Sequence, residues 1–424
     1  MKRTTARVCV LLFCCLFFMG GCVLPSYLTD FGKQSIDSRP SKPESVVCQD
    51  YSSRRLGKPG LRPIELVNFD GYVKTPSHER AAVSRRLLAA GQGMRSYRDM
   101  SSAVKQSLAY ATRKPQWQSA VIVDGMSLTW EQMRQTLAHL LEVLPSLDGD
   151  PELLSRDFVW YNLSPRPMLT AYYTPEINAS YQKGNGYIYP IYGVPSDLRK
   201  ARSPEGYRYY RVENGRILPY HDRRAVDING VLKGRGLEIA WAKDPIDVFY
   251  MQIEGAGRLR FPDGKVRDIV YAGRNGHKFK ALSRIMYEKG YLPRHKLDKN
   301  SIKEYFRKRP QRMFALMAEN RNYIFFRFSD CGAQGTFGGA LTPLVSVASD
   351  PTVVPLGGVL VLDSVKSAKT QQVHGIVLAQ DTGAAIRGAH LDYYVGEGAK
   401  AERLASRMKQ STGSYLLVSK NALR

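Results

Sequence analysis

Three aspartates near the C-terminal end, Asp350, Asp381 and Asp392, could come together on a Gly-rich β framework as a carboxylate site able to move protons. Asp381 follows the apolar run Ile376–Ala379 and precedes a Thr-Gly turn, and Asp350 precedes Pro351. Both are places where a short carboxylate caps a turn by accepting backbone N–H bonds. Asp392 differs, because it lies inside the strand-like run from Ala389 to Val395, where aspartate is depleted. A local rule broken in this way points to function. In an extended strand His390, Asp392 and Tyr394 project to one side, and Leu391, Tyr393 and Val395 to the other. The stretch from Val377 to Tyr394 is expected to form a hairpin edge or a strand-loop-strand crossing.

The elements that must position these acids change character along the chain. Helical spacing is read over His78–Met94, Met100–Ala111 and, best, Thr129–Leu144. There Thr129 and Gln132 make a capping box, an apolar stripe runs from Trp130 to Leu144, and Pro145 stops the helix. From Met168 to about Asp330 strands dominate, with Tyr187–Val194, Tyr207–Val212, Leu237–Trp241 and Val248–Ile253 the clearest. A helix pair, Lys278–Gly290 and Ser301–Asn320, intervenes. Read as a strand, the segment Val248–Glu254 places Val248, Tyr250, Gln252 and Glu254 on one face, and Gly255-Ala-Gly257 follows. Such glycines suit a close approach of ligand to backbone and a tight turn equally.

Composition bounds the rest. A chain of 424 residues with 43% hydrophobic and 10% aromatic residues builds real cores, and its net charge of +24 favours anionic surroundings such as nucleic acid, lipid headgroups or an acidic wall polymer. No nucleic-acid-binding motif is present, and the basic residues form no block. The N-terminus is a secretory signal: basic Met1–Arg7, apolar Val8–Met19, then Gly20-Gly21-Cys22. The apolar stretch is shorter than the ~20 residues a membrane span needs. Met-Gly-Gly-Cys resembles a bacterial lipobox with Cys22 as the lipidated residue, and Val23 resembles outer-membrane sorting. Residues 23–63 read as a tether. Beyond the signal only Cys48 and Cys331 remain. One disulfide is open to them, and no His or Cys spacing suggests a metal site.

Five ordered motifs carry a resemblance. Tyr-Tyr-Thr-Pro (172–175), Leu-Glu-Ile-Ala-Trp with Gln-Ile-Glu-Gly-Ala-Gly (237–257), Tyr-Ala-Gly-Arg-Asn-Gly-His (271–277), Tyr-Ile-Phe-Phe-Arg (323–327) and the three-aspartate tail resemble the membrane-bound lytic murein transglycosylase A family. The resemblance runs from Met168 to the C-terminus and is weaker before it. It implies a mainly β fold with helices: a discontinuous double-psi β-barrel from residues 64–175 and 331–424, and an inserted second β domain at 176–330, with glycan in the groove between. It implies Asp392 as the catalytic acid, and Asp381, Asp350 and His390 as supporting residues. Thr170, Tyr172, Tyr173, Gln252, Gly255, Gly257, Asn275 and His277 would fall around the groove. The implied ligands are peptidoglycan glycan strands and outer-membrane lipid, with no cofactor and no nucleic acid. The sequence departs from the family where Ala171, Glu254, Ala256 and Ala384 replace Gly, Gln, Ser and Gly.

The implied chemistry needs one acid. Ordinary glycosidases use two carboxylates, whereas a muramyl sugar can attack its own C1 through its C6 hydroxyl. Asp392 would protonate the bridging oxygen and then take the hydroxyl proton, which requires its pKa to be raised by burial or by nearby charge such as Asp381. Two other readings remain open at this stage: a hydrolase pairing Asp392 with Glu254, and a wall-binding lipoprotein without activity.

Overall fold

A computed structural model describes residues 69–203, 206–364, 372–383 and 385–424. The signal, Cys22, the tether, Cys48 and Ala384 lie outside the described residues. Among the described residues no helix is long and apolar enough to cross a membrane.

The largest element is a nine-stranded mixed sheet. Its spatial order is Gly71–Lys74, Phe158–Ser164, Gly413–Ser419, Val359–Asp363, His374–Asp381, Ser346–Ala348, His390–Glu397, Met168–Thr174 and Lys409–Ser411. The two end strands do not pair with each other, so the ladder among the described residues is open. His374–Asp381 reads as a near-continuous apolar run because both of its faces are covered. Val377 and Ala379 join one core with Leu360, Leu391 and Tyr393, while Ile376 and Leu378 join another with Val104, Leu137 and Leu140. The helices Ser101–Thr112 and Trp130–Val143 supply that second core. The second begins at the expected capping box, Thr129 accepting from the Gln132 amide and Gln132 from the Thr129 amide.

The strand Met168–Thr174 leaves this sheet at Pro175 and continues as Glu176–Ser180 in a second, six-stranded sheet with Ile324–Ser329, Val266–Arg274, Ala256–Arg260, Glu238–Ala242 and Tyr189–Tyr192. A small three-stranded sheet, Arg199–Ser203, Gly206–Glu213 and Arg216–Pro219, accompanies it.

Several sequence expectations are resolved or corrected here. The acidic stretch takes the second of its two expected forms, a crossing: Ser346–Ala348 lies between the Asp381 strand and the Asp392 strand, parallel to the first and antiparallel to the second. Val248–Ile253 is not a strand but part of the helix Pro245–Glu254, which starts with Asp244 capping the Ile246 amide and Pro245 in the first turn, and ends at Gly255 in the left-handed conformation. Val248 and Met251 pack on the second sheet, and Ile246 and Phe249 pack on the helices beyond. Ser301–Asn320 is broken at Arg309-Pro310 into Lys299–Lys308 and Met313–Met317, since proline cannot continue a helix. The expected helix over His78–Met94 stops at Ser84. Cys331 is disulfide-bonded.

Candidate active site

Asp392 stands on His390–Glu397, directly opposite Thr170 on the parallel neighbour Met168–Thr174 and Ala348 on the other side. Pairing on both flanks fixes its backbone, and the alternation expected for this strand holds: Leu391, Tyr393 and Val395 enter the core, leaving His390 and Asp392 half-buried on the opposite face. The Thr170 hydroxyl donates to Asp392 Oδ1 at 2.6 Å, and its oxygen lies 2.9 Å from His390 Nε2. With its single proton given to Asp392, the hydroxyl accepts from His390, so Nε2 carries a proton. Oδ1 is thereby held, and Oδ2 has no protein partner among the described residues. Burial pushes the Asp392 carboxyl above the usual carboxylate range. The Thr170 bond and the His390 ring pull it down, and Asp381 adds to the rise.

Asp381 is more fully enclosed. Its Oδ2 accepts from the Tyr172 hydroxyl at 2.9 Å, and its Oδ1 accepts from the amide and hydroxyl of Thr336, each at 2.9 Å. Burial pushes it upward and these bonds oppose the rise. Asp350 serves as a clasp. It is 5% exposed, takes the Thr352 amide and hydroxyl on Oδ1, and takes the Gly388 amide on Oδ2 at 3.0 Å. It thus ties the end of one strand to the loop that leads into the Asp392 strand. The turn-capping reading of Asp350 holds in this geometry.

The two adjacent tyrosines part ways. Tyr172 faces the acids and lies 5.3 Å from the Tyr394 ring, whereas Tyr173 accepts from Lys299 Nζ at 3.0 Å. Lys299 also pairs with Glu402 at 2.8 Å. Glu254, at the helix end, faces both groups: burial and the Asp392 and Glu402 charges push its pKa up to about 8, while Lys299 opposes them. A Cβ on Gly255 would meet open space, whereas one on Gly257 would strike Met251 Sδ at 2.3 Å. Gly257 therefore serves close packing of helix on strand.

Gln252 is buried, with its amide 3.4 Å from the Ile324 carbonyl. Asn275 and His277 are bonded into a different cluster. Asn275 donates to the carbonyls of His221 and Arg321 at 2.9 and 2.8 Å, and its Oδ1 accepts from the Tyr323 amide at 2.9 Å and, more weakly, from the His277 amide at 3.3 Å. His277 Nε2 lies 2.7 Å from the Tyr220 carbonyl. Two cavities of about 680 and 290 Å³ open beside these residues, and neither is lined by a residue of the Asp392 cluster. Thr336, Lys299 and Glu402 carried no motif signal. Thr336 sits in a loop and meets Asp381 only through the fold. Among the described residues no group of three or more His, Cys, Asp or Glu is arranged to hold a metal ion.

Comparison with known proteins agrees with this layout. The family profile for the MltA specific insert domain matches residues 168–327, and that for the 3D domain matches residues 345–418. The chain is 29% identical over 301 residues to membrane-bound lytic murein transglycosylase A of Vibrio cholerae, covering 67% of this chain and 75% of that one. Its fold superposes on a membrane-bound lytic murein transglycosylase from Agrobacterium tumefaciens with a TM-score of 0.69 at 26% identity, over 83% of this chain and 98% of the other. MltA from Neisseria gonorrhoeae gives 0.66 at 25% identity, over 82% and 92%.

Proposed function

We propose, on the premise that this chain belongs to the lytic murein transglycosylase A family, that it cleaves the β-1,4 bond between N-acetylmuramic acid and N-acetylglucosamine without water. Asp392 acts first as acid and then as base. The observation that carries this reading is the setting of Asp392: burial pushes its pKa upward, Oδ1 is occupied by Thr170, and Oδ2 is left to face a glycan oxygen. Protonating the bridging oxygen develops an oxocarbenium-like carbon. The C6 hydroxyl of the same sugar attacks that carbon, giving its proton back to Asp392 and leaving a 1,6-anhydro end. An intramolecular nucleophile that is well oriented can be worth ~7–11 kcal/mol, which is why a second carboxylate is not required.

Asp381 stands beside the acid and adds to the rise in its pKa, and His390 and Thr170 orient it. Asp350 sets the loop before it. Tyr172, Tyr173, Gln252, Gly255, Gly257, Asn275 and His277 remain assigned to the glycan-binding side of the protein. Glu254 stands where the family has Gln, and a carboxyl that keeps its proton to about pH 8 presents one donor and one acceptor, as an amide does. The nine-stranded sheet is taken as the family's double-psi barrel, built from residues 64–175 and 331–424, with 176–330 as the inserted β domain. The run of Met168–Thr174 straight into Glu176–Ser180 supports that division. A lipid on Cys22 would anchor the protein to the outer membrane, facing the periplasm.

Mass analysis of fragments released from purified sacculi tests the reading. Anhydromuropeptides, lighter than hydrolysed products by one water, are expected. Reducing-end products would transfer the role to a hydrolase, and a folded protein that binds sacculi without releasing fragments would leave only wall binding.

A further inference from the structure

The loop Asn275–Lys280 separates two cavities and lines both of them with Gly276 and His277. The larger, about 680 Å³, is also lined by Lys278, Phe279, Lys280, Arg284, Glu319 and Arg321. Its single acid, Glu319, is already paired with Lys289 at 3.1 Å. The smaller, about 290 Å³, adds Arg208 beside the rings of Tyr207 and Tyr209. Lys200 lies 3.9 Å over the Tyr207 ring, and Arg274 lies 5.2 Å over Tyr209, so cations continue along the wall. Gly276 makes the junction possible. Its φ is +80°, and a Cβ there would stand 2.5 Å from Tyr209.

The cations fall into two kinds. Lys280 and Arg284 pair with Glu288, and Arg321 pairs with Asp222. Lys278 and Arg208 have no side-chain partner among the described residues. The amide N–H groups of Gly276, Lys278 and Phe279 likewise donate to no protein acceptor among the described residues. Three solvent-facing amides between two cations without a side-chain partner, Lys278 in one cavity and Arg208 in the other, can seat an anion.

We propose that this trough binds the carboxylate-bearing peptide arms of the glycan substrate. The inference rests on the lytic reading above. Around Asp392 the acids Asp381, Glu254 and Glu402 predominate, and the cation that faces them, Lys299, is already paired with Glu402, so an anionic side arm gains little from that site. Such an arm, attached to the same chain, gains more outside it, where the trough offers opposite charge on the inserted sheet. Its recessed shape suits a compact side arm better than a flat membrane surface, which meets convex faces.

The test uses the full chain in detergent, with two variants, Lys278→Glu and the double variant Lys278→Glu with Arg208→Glu. Both positions lack a partner to break. Steady-state cleavage is measured on solubilised glycan strands bearing their peptides and on the same strands after an amidase has removed them. The double variant is expected to raise KM on peptide-bearing strands about tenfold, with kcat unchanged, and to leave both constants on bare strands within about twofold. Calorimetric titration with the free stem tetrapeptide reads the trough without cleavage: the native protein binds, more weakly as salt rises, and the double variant does not. Equal KM shifts on both substrates, or no shift on either, would overturn the proposal. So would loss of binding to phosphatidylglycerol vesicles with KM unaltered, which would assign the trough to a membrane. If no strand is cleaved but the tetrapeptide binds in a charge-dependent way, the lytic reading fails and the trough stands.

Discussion

The acid cleft and the basic trough are held in shape by different means. Asp392 lies on a strand paired on both sides, opposite Thr170 and Ala348, so a backbone ladder fixes its place and its side chain contributes little to shape. The loop Asn275–Lys280 has no ladder. One buried amide, that of Asn275, makes three firm bonds and one long one to four different residues and carries the loop's conformation. The first region should therefore tolerate side-chain replacement structurally and fail chemically. The second should do the reverse.

The largest expected effect tests the first half of that contrast. Asp392→Asn preserves shape and hydrogen bonding but cannot give up a proton, so cleavage of peptide-free strands should fall by about 10³ with the melting temperature unchanged. Retained turnover would move the acid elsewhere. The second half is tested by Asn275→Ala. Removing a 1%-exposed amide strands backbone groups of His221, Arg321 and Tyr323, at an expected cost of about 2–3 kcal/mol. Thermal unfolding should show it as several degrees, and any effect on cleavage of bare strands should appear in KM, through lost glycan binding, with kcat near native. A normal melting temperature with lost turnover would reverse the comparison.

What the sequence disclosed follows the same division. Where one face alone is buried, the pattern is clean: the alternation around Asp392 and the capped stripe from Thr129 could be read directly. Val248–Ile253 reads as a strand because the helix Pro245–Glu254 is covered on two sides, by the second sheet and by the helices, which makes Val, Phe, Met and Ile fit either period. Its true signals, Asp244-Pro245 before it and Gly255 after it, are boundary residues. The position of Ser346–Ala348 between the two acidic strands could not be read, since three residues carry no period. Thr336, Lys299 and Glu402 reach the acids only through tertiary folding, and a sequence holds no local mark of that.

A smaller effect is expected at the hydroxyl that orients the acid. Thr170→Val keeps the strand and removes the bond to Asp392 Oδ1. With that bond gone, its downward pull on the Asp392 pKa is lost, so the alkaline limb of the kcat profile should move to higher pH while kcat itself drops about tenfold through loss of orientation. A profile displaced toward acid would mean that another group sets the limb.

The smallest effect at neutrality, and the sharpest in pH, belongs to Glu254. Its proton is retained to about pH 8, so near pH 7 the carboxyl and a glutamine offer the glycan the same donor and acceptor. Glu254→Gln should leave kcat/KM within about twofold there. Above pH 8 the native side chain ionises beside Asp392, loses its donor and brings a charge into the cleft, and activity should fall where the variant's does not. The stability sign runs the same way. A folded pKa raised above the ordinary carboxylate value of about 4.3 means that the folded state binds the extra proton. The favourable contribution is therefore complete below that value and is lost as pH rises toward 8. Unfolding midpoints of the native protein should decline across this window relative to Glu254→Gln. Parallel pH profiles for the two proteins, in activity and in stability, would mean that Glu254 is ionised at neutrality and that the acid cleft holds a second charged carboxylate.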